Sequence, residues 1–125
     1  MASENIVQSI TLPAAADLSS SQFKLVTVNS SGQAALANAT ALVVGVLQNK
    51  PSAAGQAATV AVHGVSKAVA GGAITAGARV TADASGNAIA AASAGDAVLG
   101  VALTGAASGD VFPVLINPYP FAALA

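Results

Sequence analysis

The sequence predicts an all-β domain: a small β-barrel or sandwich built from two similar β units, with an extended N-terminal arm and C-terminal tail. Three observations predict it. Short runs of Val and Ile recur at spacings of about ten residues with turn residues between them, the rhythm of a small barrel or sandwich. Glycine occurs 12 times in 125 residues, too often for helices of ordinary length. The stretch 24–62 is repeated in plan by 78–116. Laid over each other, Val26 meets Val80, Thr27 meets Thr81, Asn29 meets Asp83, Gly32 meets Gly86 and Gln33 meets Asn87. After a one-residue slip Gly45 meets Gly100; the slip then reverses, and Gly55 meets Gly109, Val60 meets Val114 and Val62 meets Ile116. An internal period of this length decides a fold more than any local propensity does.

The elements follow in chain order. Residues 1–22 read as an arm, with Ile6, Val7, Ile10 and Leu12 apolar and Pro13 stopping a strand. An arm of this kind frays or is pinned by a partner. Residues 23–116 read as the β domain. Phe23–Val28 alternates as a strand with apolar residues on both faces. Asn29-Ser30-Ser31-Gly32 is a turn, because Asn bonds its own backbone and Gly accepts positive φ. The chain then returns through Gln33–Ala37. Leu42–Gln48 is a short β-branched run in which Gly45 marks a bulge or a close backbone approach. Ala58–Val62 is the next strand, and Val65–Val69 follows the break at His63-Gly64.

The second unit repeats this order. Ala78–Ala82 is a strand, Asp83–Gly86 a turn, Asn87–Ala91 and Val98–Leu103 strands, and Val111–Ile116 the last strand after the Gly109-Asp110 loop. Pro113 has no N–H for a ladder, which predicts an edge or a bulge. Alanine is the best helix former, and the run AIAAASA at 88–94 taken alone would suit a helix. The recurring glycines and short β-branched runs around it decide for strand. Residues 117–125 form a tail that two prolines keep extended.

Composition narrows the function. Hydrophobic residues make up 54% of the chain, aromatics 3% and charged residues 7%, against about 25% charged in ordinary soluble domains. Much of the apolar content is alanine, which buries little surface per residue. A lone copy would have a thin core and an unusually uncharged exterior, whereas mixed charge is what keeps small domains apart. An assembly in which neighbours supply burial follows from this. The net charge is -1, with four Lys/Arg and five Asp/Glu scattered singly. No basic stripe is present for nucleic acid, and no basic amphipathic helix for a membrane surface. The absence of cysteine excludes disulfides and thiolate metal sites. Residues 1–12 lack the positive n-region of a secretory signal. The uncharged run Leu25–Asn49 is interrupted by Asn, Ser, Gly and Gln side chains, which argues against a spanning helix.

The residues carry no recognisable chemistry. His63 is the single histidine and reads as a polar residue at a strand end. Asp83, Asp96 and Asp110 sit beside turn residues, where Asp makes local hydrogen bonds. No alternating Asp pattern builds a calcium loop. No phosphate-binding glycine motif or nucleophile elbow occurs. The sequence therefore predicts no catalytic residue, no metal site and no cofactor. Asn29, Gly32, Asp83, Gly86, Gly109 and Asp110 are read as turn residues.

The run from His63 to Ile116 resembles the small capsid decoration, or cement, proteins of tailed bacteriophages, in a family once known only as DUF2190. The resemblance rests on Gly71 and Gly77, Asp83, Gly86, Gly100, Gly109-Asp110 and Val111–Ile116, and covers residues 23–116. It implies a non-enzymatic β protein of the virion. Such a protein is made in the host cytoplasm and carried in many copies on the outside of the head, where it bridges major capsid proteins. Its partners would be the major capsid protein and other copies of itself, with a trimer favoured. The ends outside the resemblance are the expected contacts: Ile6, Val7, Ile10 and Leu12 in the arm, and Pro118, Tyr119, Pro120 and Phe121 in the tail. Prolines lower the entropy cost of binding in an extended form, and aromatics supply contact area. The alternative is a head-fibre, tail or adhesin module binding a host-surface glycan, for which three Phe and one Tyr are few.

Overall fold

The computed structural model describes residues 4–38, 42–91 and 98–116. Among them the chain is all-β. It forms β1 (Asn5–Pro13), β2 (Leu25–Val28), β3 (Ala34–Leu36), β4 (Gly45–Leu47), β5 (Ala57–Val69), β6 (Arg79–Ala82), β7 (Ala88–Ala90), β8 (Gly100–Ala102) and β9 (Val111–Ile116). The strands make one sheet in the order β3-β2-β4-β5-β9-β8-β6-β7, with β1 also paired to β5. All strand pairs are antiparallel.

The ladder is drawn twice in the same register. In β2 and β3, Val26 faces Leu36 and Val28 faces Ala34; in β6 and β7, Val80 faces Ala90 and Ala82 faces Ala88. Val26 then faces Gly45 as Val80 faces Gly100, and Leu47 faces Val60 as Ala102 faces Val114. The correspondence continues into β1. Leu12 faces Ala58 and Pro13 faces Ala57, as Ala68 faces Phe112 and Val69 faces Val111. So β1 lies along the first half of β5 as the second half of β5 lies along β9. β5 is thus the last strand of one five-stranded unit and the first strand of the next.

The connecting segments match as well. The N–H of Ala14 donates to the C=O of Gln56 at 2.8 Å, and that of Ala70 to Asp110 at 2.8 Å. The N–H of Leu18 donates to Pro51 and that of Ile74 to Ala106, each at 2.8 Å. Phe23 and Gly77 make the same bend, with φ of 65° and 87°. Their N–H groups donate to Leu47 and Ala102 at 2.7 and 2.8 Å. Glycine takes this conformation without steric cost, whereas a bulky residue there is a genuine outlier. The Phe23 ring is retained by packing on the core and by the Lys67 ammonium 5.5 Å from its centroid.

Each unit has its own small core. In one, Leu18, Val26, Leu47, Ala58 and Val60 pack together; at the matching positions of the other stand Ile74, Val80, Ala102, Phe112 and Val114. The second cluster also takes in Leu25, Val43, Val46 and Ala61 from the first unit, which fastens the units to each other. Gly45 and Gly100 let strands come close: a Cβ at either would collide with the backbone carbonyl of Ala61 or Leu115.

Pro113 does not lie at an edge. β9 pairs with β5 on one side and β8 on the other. The Pro113 C=O accepts from Leu103 just past the end of β8, at 3.0 Å. In an antiparallel ladder a residue's N–H points to the same neighbour as its C=O, so the missing donor faces the place where β8 has already ended. The matching residue, Thr59, shows what is dispensed with: its N–H donates to the Asn49 side chain at 3.0 Å rather than to a strand.

Among the described residues Phe112 is the largest fully buried side chain, in a core otherwise filled mainly by aliphatic residues. Truncating it to alanine leaves a cavity that a close-packed core fills only in part. Phe112→Ala is expected to cost about 3–5 kcal/mol, read as a lower urea midpoint at unchanged slope in denaturation followed by circular dichroism.

Candidate capsid and subunit contact surface

The exposed large apolar side chains of the arm lie on β1: Ile6 and Ile10 are each 37% exposed and Val7 is 67% exposed. Leu12, further along the strand, packs against the first core. β1 is irregular where it crosses the middle of β5, with register shifts between Ile6 and Gln8 and between Gln8 and Ser9. Its start is tied down by Glu4, whose carboxylate lies 3.9 Å from the Lys67 ammonium. Both side chains are about one-third exposed, so the pair contributes at most about 1 kcal/mol. From Ala14 onward the segment enters the body of the protein: Ala14, Leu18 and Ser21 are buried. Pro118, Tyr119, Pro120 and Phe121 lie outside the described residues.

The turn residues are placed by matching hydrogen bonds. The Asn29 side-chain oxygen accepts from the N–H groups of Ser31 and Gln33 at 3.0 and 2.9 Å. An Asp83 carboxylate oxygen accepts from Ser85 and Asn87 at 2.8 and 2.9 Å. The Asp110 carboxylate serves its own loop, accepting from the Ala107 N–H at 3.0 Å beside Gly109. His63 faces Gln8 across the β1–β5 ladder. Among the described residues no group of three His, Asp or Glu side chains could hold a metal ion. No helix there is long and apolar enough to cross a membrane.

The two units touch through unlike surfaces. The Leu25 N–H of the first unit donates to the Gly86 C=O of the second at 2.8 Å, and the Val69 N–H of the second donates to the Phe23 C=O of the first at 3.0 Å. The Gln48 amide donates to the Ser66 hydroxyl at 2.9 Å. The Leu36 side chain lies over Gly86, whereas nothing lies over the matching Gly32. Further apolar side chains are exposed outside the arm: Val28, Leu42, Leu103, Val111 and Leu115. Sequence reasoning missed these because each sits in a run that also supplies buried residues. Only the pleat, which sends alternate side chains to opposite faces, and the local ends of strands tell which ones point out.

With that geometry in view, comparison with known proteins is decisive for the family. A family model described as phage cement protein matches residues 2–117. The chain belongs to the phage cement protein family. Membership gives it a capsid-associated structural role and places it on the virion, at the outer surface of the capsid. Among solved structures, the base of the head fibre gp8.5 of bacteriophage phi29 is similar, with a TM-score of 0.69 and 19% identity over 89% of this chain and 94% of that one. At that identity the likeness concerns the fold. No curated protein sequence matches.

The two equivalent turn glycines separate backbone strain from crowding. Both have positive φ, 76° at Gly32 and 79° at Gly86. Gly32→Ala is expected to cost about 1–2 kcal/mol, the left-handed penalty alone. Gly86→Ala should cost more, because its methyl also collides with Leu36. Equilibrium urea unfolding of the two variants side by side checks the order.

Proposed function

We propose that this cement protein strengthens the phage head by binding the outer surface of the shell in many copies and bridging neighbouring major capsid proteins. It would act as a homo-oligomer, with a trimer favoured. The observation that carries the reading is the match to the cement family along nearly the whole chain. The composition supports it. A surface with 7% charged residues in the chain has little to keep it from docking onto another protein. Many identical weak contacts, repeated over a lattice, add to a strong attachment without any one being strong.

In this proposal the division of labour follows the chain. Residues 23–116 are the scaffold, completed by β1 and by Ala14 and Leu18 of the arm, with 24–62 and 78–116 as two versions of one β unit. The arm, residues 1–22, and the tail, residues 117–125, make contacts. Ile6 and Val7 on β1, with Tyr119 and Phe121 between the tail prolines, would bury against the shell. Apolar side chains taken out of water contribute about 25 cal/mol per Å² of buried area. Because a shell under pressure fails where capsomers part, a protein that spans the seam raises the energy of parting.

The test uses undecorated heads and the purified protein. Added protein is expected to raise the temperature at which heads release DNA. Val7→Lys should leave the isolated protein's stability within about 0.5 kcal/mol, as for other surface changes, while lowering head occupancy at least about tenfold, equivalent to about 1.4 kcal/mol. Removing 117–125 should lower occupancy in the same way. Removing all of 1–22 is a poorer test, since it also takes Ala14 and Leu18 out of the first core. Full occupancy by Val7→Lys and by the tail truncation, or heads no more stable with protein than without, refutes the reading. So does glycan-array binding with no binding to heads.

A further inference from the structure

The unlike contact between the two units leaves each unit with one surface unused. In the chain, the first unit presents Gln48 and Ala61 toward the second, and the second presents Ser66 and Ala82 to the same buried region. The matching ladder positions identify what stands on the unused surfaces. Gln48 follows β4, and its N–H donates to Thr59; Leu103 follows β8, and its N–H donates to Pro113. Ser66 faces Val114 as Ile10 faces Val60. Ala61 faces Val46 as Leu115 faces Val101. Ala82 faces Ala88 as Val28 faces Ala34.

Ser66, Ala61 and Ala82 are buried by the contact between the units, at 0%, 0% and 1% exposure. Their counterparts Ile10, Leu115 and Val28 are exposed, and so is Leu103, the counterpart of Gln48. All four counterparts are large and apolar. The clearest case is the pair Gln48 and Ser66, which touch within the chain at 2.9 Å. Their counterparts, Leu103 and Ile10, are two apolar side chains on separate units, each open to solvent.

We propose that a second copy of the chain repeats this contact head to tail. The second unit of one copy, through Leu103 and Leu115, covers the first unit of the next, through Ile10 and Val28. The inference rests on the homo-oligomer of the proposed function and gives it a surface. Unlike surfaces that meet in this way generate a closed ring when the rotation closes, and a filament otherwise. Several positions depart from the pattern. Pro13 stands where Val69 donates to Phe23, Arg79 stands where Leu25 meets Gly86, Ala90 stands where Leu36 covers Gly86, and Gly77 stands where the Phe23 ring packs. One backbone hydrogen bond and part of the apolar contact are therefore lost, so the joint between copies is weaker than the joint within a chain. That order of strengths lets each chain fold before it assembles.

The native chain has no cysteine, so single cysteines report cleanly. Ile10→Cys and Leu103→Cys are made separately in the full chain, mixed, and treated with a short bis-maleimide cross-linker, both in solution and on decorated heads. A cross-linked dimer is expected in the mixture and in neither variant alone. A chain carrying both substitutions should give a ladder that stops at the ring size. A dimer from Ile10→Cys alone or from Leu103→Cys alone shows a two-fold contact and overturns the proposal. So does the absence of cross-linking in the mixture both in solution and on heads. Leu103→Lys, in the chain without cysteine, gives an independent readout: sedimentation should show assembly weakened at least tenfold, and unchanged assembly overturns the proposal. Heads that remain stabilised while the mixture fails to cross-link would sink this contact and leave the capsid role standing.

Discussion

One strand belongs to both halves of the molecule. β5 runs from Ala57 to Val69, and its first half completes the ladder of β4 while its second half opens the ladder of β9. A strand cannot change register with one neighbour without moving every side chain to the other face. Sharing β5 therefore fixes the register of each unit relative to the other, with no linker between them. The unlike contact between the units, the burial of Leu25 and Val46, and the exposed position of β1 all follow from that continuity.

The cost of so small a unit is a thin core. At matching positions the first unit has Leu47 and Ala58 where the second has Ala102 and Phe112. A large side chain in one place is balanced by a small one in another, as close packing requires. The Leu25, Val43, Val46 and Ala61 side chains then add a layer between the units. Among the described residues no such layer covers Leu103 or Leu115 of the second unit, which are exposed. A chain of this kind is only partly enclosed by itself, which is the physical condition under which association with neighbours becomes part of stability.

This connects composition to the role of a cement protein. The role that family membership gives it is structural. What it needs is a rigid body with sparse charge and apolar side chains at defined places on its outside. The rigid body is supplied by two short-stranded ladders held by paired turns. The outward apolar residues lie on β1, at the end of β2, ahead of β4, just after β8 and on β9, so they are spread along the chain. Such a distribution suits a protein with more than one kind of neighbour.

The sequence by itself determined the all-β class and the positions of the turns, because those rest on local chemistry. Asn29 and Asp83 hold their own turns through two backbone N–H groups each, and Gly32 and Gly86 supply the positive φ that a hairpin of this shape requires. The close approach at Gly45 was legible for the same reason. The partner of β1 was not legible: Asn5–Pro13 carries no turn signal and little alternation, and only the ladder with β5 shows that it occupies the place that Gly64–Val69 holds in the second unit. Pro113 also misled, since a residue's tolerance for losing an N–H depends on where the neighbouring strand ends. Tertiary structure alone decided which of two equivalent positions is covered. Ala82 and Val28 occupy the same place in the ladder, yet the contact between units buries only one of them, and no local pattern encodes which surface another part of the chain will reach.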